Sequence, residues 1–263
     1  MLRAMTAHPP SDVLPVLERY YDAAPRPSAT TEEIGPFTLF LRASTDGWPY
    51  YARPRLGLTG ETTADDVRRV RQRQRELGVP ETFEWVEETT PSLSAAADGA
   101  GLAVTRCPLL ALPAGAAPIT ASTPAARVEL LGPEDVALST VQGAVHAGFD
   151  GTDEVSPRPA EHQRELMRRG LLAVAAAYDE HGEVVGGGSH GPRGDTTELT
   201  GIAVLRRARR QGVGAALTAA LVADAHARDV TTVFLSAQDD AVARVYERVG
   251  FVRVGTACLG EPA

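Results

Sequence analysis

The stretch that most constrains this chain runs from Thr197 to Leu217, where a strand gives way to a helix across a short basic loop. Thr197 to Val204 reads as a strand, and the loop after it places Arg206, Arg207, Arg209 and Arg210 within five positions. Gly212 and Gly214 then open a helix that runs to about Arg228, with Leu217, Leu221 and Ala225 on one face. The first N–H groups of a helix have no intrahelical acceptor, and the helix dipole is positive at that end. With no side chain at either glycine to keep a ligand away, such a start is suited to a pyrophosphate. The arginines add a local positive field that favours a nucleotide coenzyme with an extra ribose phosphate.

Other phosphate loops fit less well. A Walker loop needs a lysine after its last glycine, and the chain has none. A dinucleotide fingerprint would put its third glycine where Leu217 stands, and its strand would run straight into the first glycine. The plain alternative is a helix with a glycine-softened start and an exposed arginine patch.

From about Val128 onward, strands and helices alternate. Arg127 to Leu131 reads as a strand, Gly132-Pro133-Glu134-Asp135 as the start of a helix carrying Val136, Val141 and Val145, and Leu171 to Tyr178 as a buried strand with a hairpin partner from Val184. Thr231 to Ala237 is a further strand. Ala241 to Val249 is a helix ended by Gly250, and Phe251 to Leu259 is a last strand. The fold class is α/β in the broad α+β sense, a mixed central sheet flanked by helices.

In the first half, Phe37 to Leu41 reads as a strand and Asp65 to Leu77 as an amphipathic helix whose outer face carries Arg68, Arg69, Arg71, Arg73 and Arg75. Because the whole chain is acidic, with a net charge of −8, that face reads as solvated and the chain as one that does not bind nucleic acid. Phe83-Glu84-Trp85-Val86, a helix from Pro91, Gly101-Leu102 and an apolar strand to Leu112 repeat the order of Val233-Phe234-Leu235, the Ala241 helix, Gly250-Phe251 and the last strand. Phe83 to Gly101 spans 18 positions and Val233 to Gly250 spans 17. This points to a degenerate copy of one supersecondary unit, with chance likeness of two αβ pieces as the alternative. An Ala- and Pro-rich stretch separates the copies. The expected organisation is an α/β lobe at 1–112, a linker at 113–125 and a second domain at 126–263.

The R-x-x-G-x-G of Arg209 to Gly214 after a strand ending in Val204, together with Tyr246 four positions before Gly250-Phe251, resembles the acetyl-coenzyme A site of the GNAT acetyltransferase superfamily. The resemblance covers roughly Val128 to Leu259, and the tandem layout is similar to two-domain members of that superfamily. It implies that backbone of Ala203 and Val204 pairs with the pantetheine, and that Arg209, Arg210, Gln211, Gly212, Val213 and Gly214 hold the pyrophosphate. It also implies an acetyl group moved from acetyl-coenzyme A to a primary amine of a small molecule or peptide. Asp239 stands where the family often has a coenzyme-contacting asparagine, and an ionised carboxylate cannot donate as an amide does. Arg206 replaces a common proline.

An alkyl ammonium must lose its proton before it attacks a thioester. Glu198, at the start of the strand leading to Val204, is the candidate base, directly or through water; a carboxylate at a solvated strand end is the alternative. The resemblance places Tyr246 near the coenzyme sulfur as proton donor to the leaving thiolate; a packed core tyrosine is the alternative. His190, after the glycine run 186–188, reads as structural, with a role as alternative base left open. Cys107 and Cys258 show no catalytic pairing, and no spacing suggests a metal. With no apolar run long enough for a bilayer and no signal-peptide core, the expectation is a cytoplasmic monomer or homodimer without a membrane partner. A coenzyme-binding sensor or interaction protein without catalysis is the competing functional class.

Overall fold

The computed structural model describes residues 13–43, 50–113, 115–116, 123 and 125–263. The N-terminus and most of the expected linker therefore lie outside the described residues. The chain forms two compact units. One comprises Met1–Leu110, Ser236–Ala243 and Arg253–Ala263; the other comprises Ala111–Leu235 and Arg244–Val252.

The first unit opens with α1 (Leu14–Ala23), β1 (Ala29–Ile34), β2 (Phe37–Arg42) and β3 (Ala52–Pro54), followed by α2 (Ala64–Leu77), β4 (Phe83–Val86), α3 (Ser92–Gly99) and β5 (Leu102–Ala111). The second contains β6 (Arg127–Leu130), α4 (Leu138–Phe149), α5 (Glu161–Arg168), β7 (Ala173–Tyr178), β8 (Val184–Arg193), β9 (Thr196–Val204), α6 (Val213–Ala227) and β10 (Thr232–Ser236). Helix α7 (Asp240–Glu247) and β11 (Val252–Pro262) complete the chain. The last strand is grouped with the first unit, where it pairs antiparallel to β4 with Cys258 opposite Trp85.

Helix α2 shows how sequence sets the ends of an element. Thr63 accepts from the Asp66 N–H while the Asp66 carboxylate accepts from the Thr63 N–H, a reciprocal capping box, and Gly78 closes the helix in the left-handed region at φ 65°. Val67 and Val70 sit in a core with Phe37, Leu39, Phe83, Trp85 and Leu93. The arginines on its outer face are paired: Arg68 with Asp65, Arg69 with Asp66, Arg71 and Arg75 with Glu81, and Arg73 with Glu32 and Glu76. That pairing suits the solvated-face reading.

In the second unit the strands run in the order β10, β9, β8, β7, β6, with β9 and β10 parallel and the other pairs antiparallel. Helices press on this sheet closely enough to dictate small residues. A Cβ on Gly187 would lie 2.5 Å from Val141 Cγ1 of α4, and one on Gly188 would lie 2.8 Å from Ile202 Cγ1 and 3.2 Å from Leu221 Cδ1 of α6. The glycine run thus makes room for helices and neighbouring side chains. Helix α4 begins six residues later than the Gly132 start expected from sequence. Asp135 Oδ1 accepts from the Ala137 N–H in the preceding turn, and Val136, expected on the buried face, is 89% exposed.

The repeat seen in the sequence extends further in three dimensions. The same order occurs twice along the chain, an antiparallel strand pair, a crossover helix, a strand parallel to the second of the pair, another helix and a last strand: first β2, β3, α2, β4, α3, β5 and then β8, β9, α6, β10, α7, β11, the last of which is grouped with the first unit. In each case a right-handed crossover is the expected route for the parallel step.

Candidate active site

Strand β9 is paired along its length on one side by β8, from Thr196 opposite Arg193 to Val204 opposite Gly186. On the other side its register with β10 covers only Thr196, Thr197 and Glu198, opposite Thr232, Val233 and Phe234. Beyond Glu198 the two parallel strands part. The β8–β9 register slips between Gly187 and Ser189, and Gly201 takes φ 62°, so an extra β9 residue bends the strand there. The edge of β9 that carries Leu199 to Val204 is not matched by β10, which leaves polar backbone on a strand edge that can take an extended partner. Ala203 and Val204 lie on that stretch.

The loop after β9 makes a single turn of 3₁₀ helix at Arg206–Ala208 and then enters α6 at Val213. Gly212 precedes the helix at φ 82° with no side-chain cap, so the first-turn N–H groups of Val213 and Gly214 remain without the capping oxygen that Thr63 gives α2. Arg210 is also left-handed, at φ 62°. Alternation of such residues turns successive N–H groups toward one concavity, the arrangement that holds anions. Arg206, Arg207, Arg209, Arg210 and Gln211 are exposed around it.

The other expected residues fall as follows. Glu198 is half-buried on β9, in register with Phe234. Tyr246 lies on α7 with its ring edge-on to Phe251 at 6.1 Å between centroids, and burial pushes its hydroxyl up to about 12. Asp239 belongs to the first unit and caps α7, its Oδ1 accepting from the Val242 N–H at 2.8 Å. That carboxylate is engaged in helix capping. His190 is fully buried, with Nδ1 3.1 Å from Thr197 Oγ1 and Nε2 2.8 Å from Asp224 Oδ2. Burial lowers its pKa, so the neutral ring donates from Nε2 and accepts at Nδ1. Burial alone would raise Asp224, but hydrogen bonds from Arg228 and His190 outweigh it and hold the carboxyl below the usual range. This is a structural network between β8, β9 and α6, closed to substrate.

Three contacts at the loop come from residues that sequence reasoning did not single out. Asp153 Oδ1 accepts from the Arg207 N–H at 2.8 Å, Thr123 Oγ1 donates to the Gln211 carbonyl, and the Gly148 carbonyl accepts from Arg209. They lie 54, 88 and 61 positions from their partners, and nothing local in the sequence marks them. Among the described residues no group of three or more His, Cys, Asp or Glu side chains is placed to hold a metal ion, and no helix is long and apolar enough to cross a membrane.

Residues 145–251 match the acetyltransferase (GNAT) family. No curated protein matches the sequence. Among solved structures, a GCN5-related N-acetyltransferase from Kribbella flavida is 21% identical with a TM-score of 0.72, over 95% of this chain and 96% of that one. A GCN5-related N-acetyltransferase from Sphaerobacter thermophilus is 14% identical with a TM-score of 0.61, over 97% and 93%. A tandem GNAT protein from the clavulanic acid biosynthesis pathway is 16% identical with a TM-score of 0.52, over 90% and 84%. At these identities the likeness is one of fold, and it spans both halves of the chain. The chain carries an acetyltransferase domain of the GNAT family at residues 145–251, within a fold shared along nearly its whole length with GNAT proteins.

Proposed function

We propose that this protein moves an acetyl group from acetyl-coenzyme A to a primary amine of a small molecule or peptide, using one coenzyme site built on β9 and the start of α6. The observation that carries this reading is the parting of β9 and β10 beyond the Glu198–Phe234 pair, beside a helix start with no side-chain cap. The unmatched β9 edge suits the amide-bearing pantetheine arm, which can add to it as an extended strand does, with Ala203 and Val204 as its partners. The N–H groups of Arg210 to Gly214 suit the pyrophosphate, and exposed Arg206 and Arg210 supply positive charge for the remaining phosphate. Residues 1–112 serve as a companion lobe.

In the reaction the acceptor ammonium gives a proton to Glu198, directly or through water. The freed amine attacks the thioester carbonyl, whose developing oxyanion is stabilised by main-chain N–H groups of β9. A C–N bond forms and the C–S bond breaks. The nitrogen then sheds its second proton, and the thiolate leaves as the thiol. Tyr246 donates a hydrogen bond to the departing sulfur.

The experiment is an amine-library screen that follows coenzyme A release, preceded by calorimetric titration. Acetyl-coenzyme A should bind and raise the melting temperature well beyond NAD or ATP. Equal shifts from all three would remove the coenzyme assignment, and binding without turnover of any amine would favour a sensor.

A further inference from the structure

The arginines after β9 do different things. Arg209 spends its side chain on the protein: Nε donates to the Val204 carbonyl at 3.2 Å, and Nη2 donates to the carbonyl of Gly148 near the end of α4. Gly148 allows this approach. A Cβ there would lie 2.9 Å from Ala203 Cβ and 3.1 Å from Val204 N, so only a glycine lets α4 end so close to β9. On the preceding turn the Arg207 N–H is held by Asp153 at 2.8 Å. Between these ties and Gly212 sits Arg210 at φ 62°. A left-handed residue with a side chain costs on the order of 1 kcal/mol or more, and persists only where its surroundings fix it.

We propose that Arg209 and Asp153 are positioning residues that fix the shape of the coenzyme loop, with the Arg209 guanidinium serving main-chain carbonyls in place of a phosphate. This rests on the coenzyme reading above and changes what its R-x-x-G-x-G arginine does. Arg209 joins the end of α4 to Val204, and Asp153 anchors the turn that leads into the loop. Together they bracket the N–H groups that face the anion.

The test compares coenzyme A affinity by calorimetry for Arg209→Gln and Arg209→Lys at about 0.5 M salt, where the Debye length is ~4 Å and the distant field of a charge is screened. Glutamine keeps a neutral planar donor for a carbonyl, whereas lysine keeps the charge that a phosphate contact needs. The expected result is that Arg209→Gln binds at least as tightly as Arg209→Lys. A lysine variant that binds more than about fivefold tighter than the glutamine variant assigns Arg209 to the phosphate and overturns the proposal. In parallel, Asp153→Ala should weaken binding by roughly three- to tenfold, the range of one lost hydrogen bond, and speed amide exchange over 207–214 in the coenzyme-free protein. Asp153→Asn retains an acceptor and should stay within about twofold of wild type. Unchanged affinity and exchange in Asp153→Ala overturn the tether. Wild-type protein that binds no coenzyme A would instead overturn the coenzyme reading, and the exchange data on free protein would still decide whether Asp153 fixes the loop.

Discussion

Replacing Tyr246 by phenylalanine keeps the ring against Phe251 and removes only the hydroxyl, whose proton burial holds up to about 12. A coenzyme thiol has a pKa near that of cysteine, roughly 8.5. Full proton transfer from Tyr246 to the thiolate is therefore uphill by ~3.5 pH units, or about 5 kcal/mol at 1.36 kcal/mol each. In the proposed reaction Tyr246 is therefore assigned the role of a hydrogen-bond donor that keeps its proton, with the thiol proton derived from the attacking nitrogen. A hydrogen bond to a charged acceptor contributes about 1.5–3 kcal/mol, so kcat/KM should fall roughly 10- to 150-fold in Tyr246→Phe. Coenzyme affinity should change by less than about threefold, because an interaction made as charge develops on sulfur acts on the transition state. The assay is the rate of coenzyme A release with an accepted amine, followed from about pH 6 to 10, with the wild-type to variant ratio flat across that range. A loss below about threefold would place the hydroxyl away from the sulfur. A ratio that collapses between roughly pH 8 and 9 would mean that the hydroxyl ionises far below 12, and would refute the burial argument.

The two loop glycines should separate by backbone conformation: Gly214→Ala, whose Cβ meets only Val204 Cγ2 at 3.8 Å, should stabilise α6 by ~0.5–1 kcal/mol and leave coenzyme affinity within about threefold. Gly212→Ala, at φ 82° and 3.3 Å from Thr123 Cβ, should cost about 1 kcal/mol and weaken binding, both read by urea unfolding and calorimetry. Glu84 is pushed up to about 7 by burial, against the pull of Arg53, so its folded pKa lies above the unfolded value. Its contribution favours the folded state below the unfolded pKa and is lost as pH rises through 7. Glu84→Gln should therefore gain on wild type by roughly 3 kcal/mol in unfolding free energy between about pH 4.5 and 8, and a constant difference would show that the carboxyl is not desolvated. One acetyl-coenzyme A should bind per chain by calorimetry, because the start of α2 is closed by its own Asp66 carboxylate; a stoichiometry of two would contradict this.

The elements that were legible carry their own punctuation. Thr63 and Gly78 bound α2, and Gly212 bounds α6, so both helices fall within a residue or so of the expected ends. Where tertiary contacts supply the order, the sequence is silent. Helix α5 buries no residue and so shows no apolar period, β1 is partly buried or exposed at every position without strict alternation, and β3 is three residues long. Helix α1 packs Leu14, Leu17, Tyr20 and Tyr21 but has neither an acidic first turn nor a side-chain cap to announce it. The loop proposed to hold the coenzyme could be singled out as a motif because its residues are contiguous. Asp153, Gly148 and Thr123 were not, because a tether from 54 or more positions away leaves no local pattern.

On the proposed function, differences between the two copies of the supersecondary unit account for the chemistry being placed in one half. Matching Phe83 to Val233 aligns Ala52, which opposes Phe83, with Thr197, which opposes Val233. Arg53 then stands where Glu198 does, and Glu84 where Phe234 does. Arg53 is buried, 3.4 Å from Glu18 and 3.9 Å from Glu84, with its guanidinium carbon 4.3 Å from the centre of the Tyr21 ring. A guanidinium held in this way cannot take a proton from an ammonium. The crossover helix diverges in the same sense. Its N-terminus is satisfied internally by Thr63 and Asp66 in α2, and the negative charge that completes the capping box also repels a phosphate, whereas α6 begins with a glycine and has no side-chain cap. In one copy the matching positions thus hold a buried guanidinium and a filled helix cap, and on the proposed reading the other copy holds a base and an anion site there. A base with no coenzyme beside it, or a coenzyme with no base, would transfer nothing. On the proposed reading, divergence at both positions together makes one copy a structural lobe and leaves the other open to substrate.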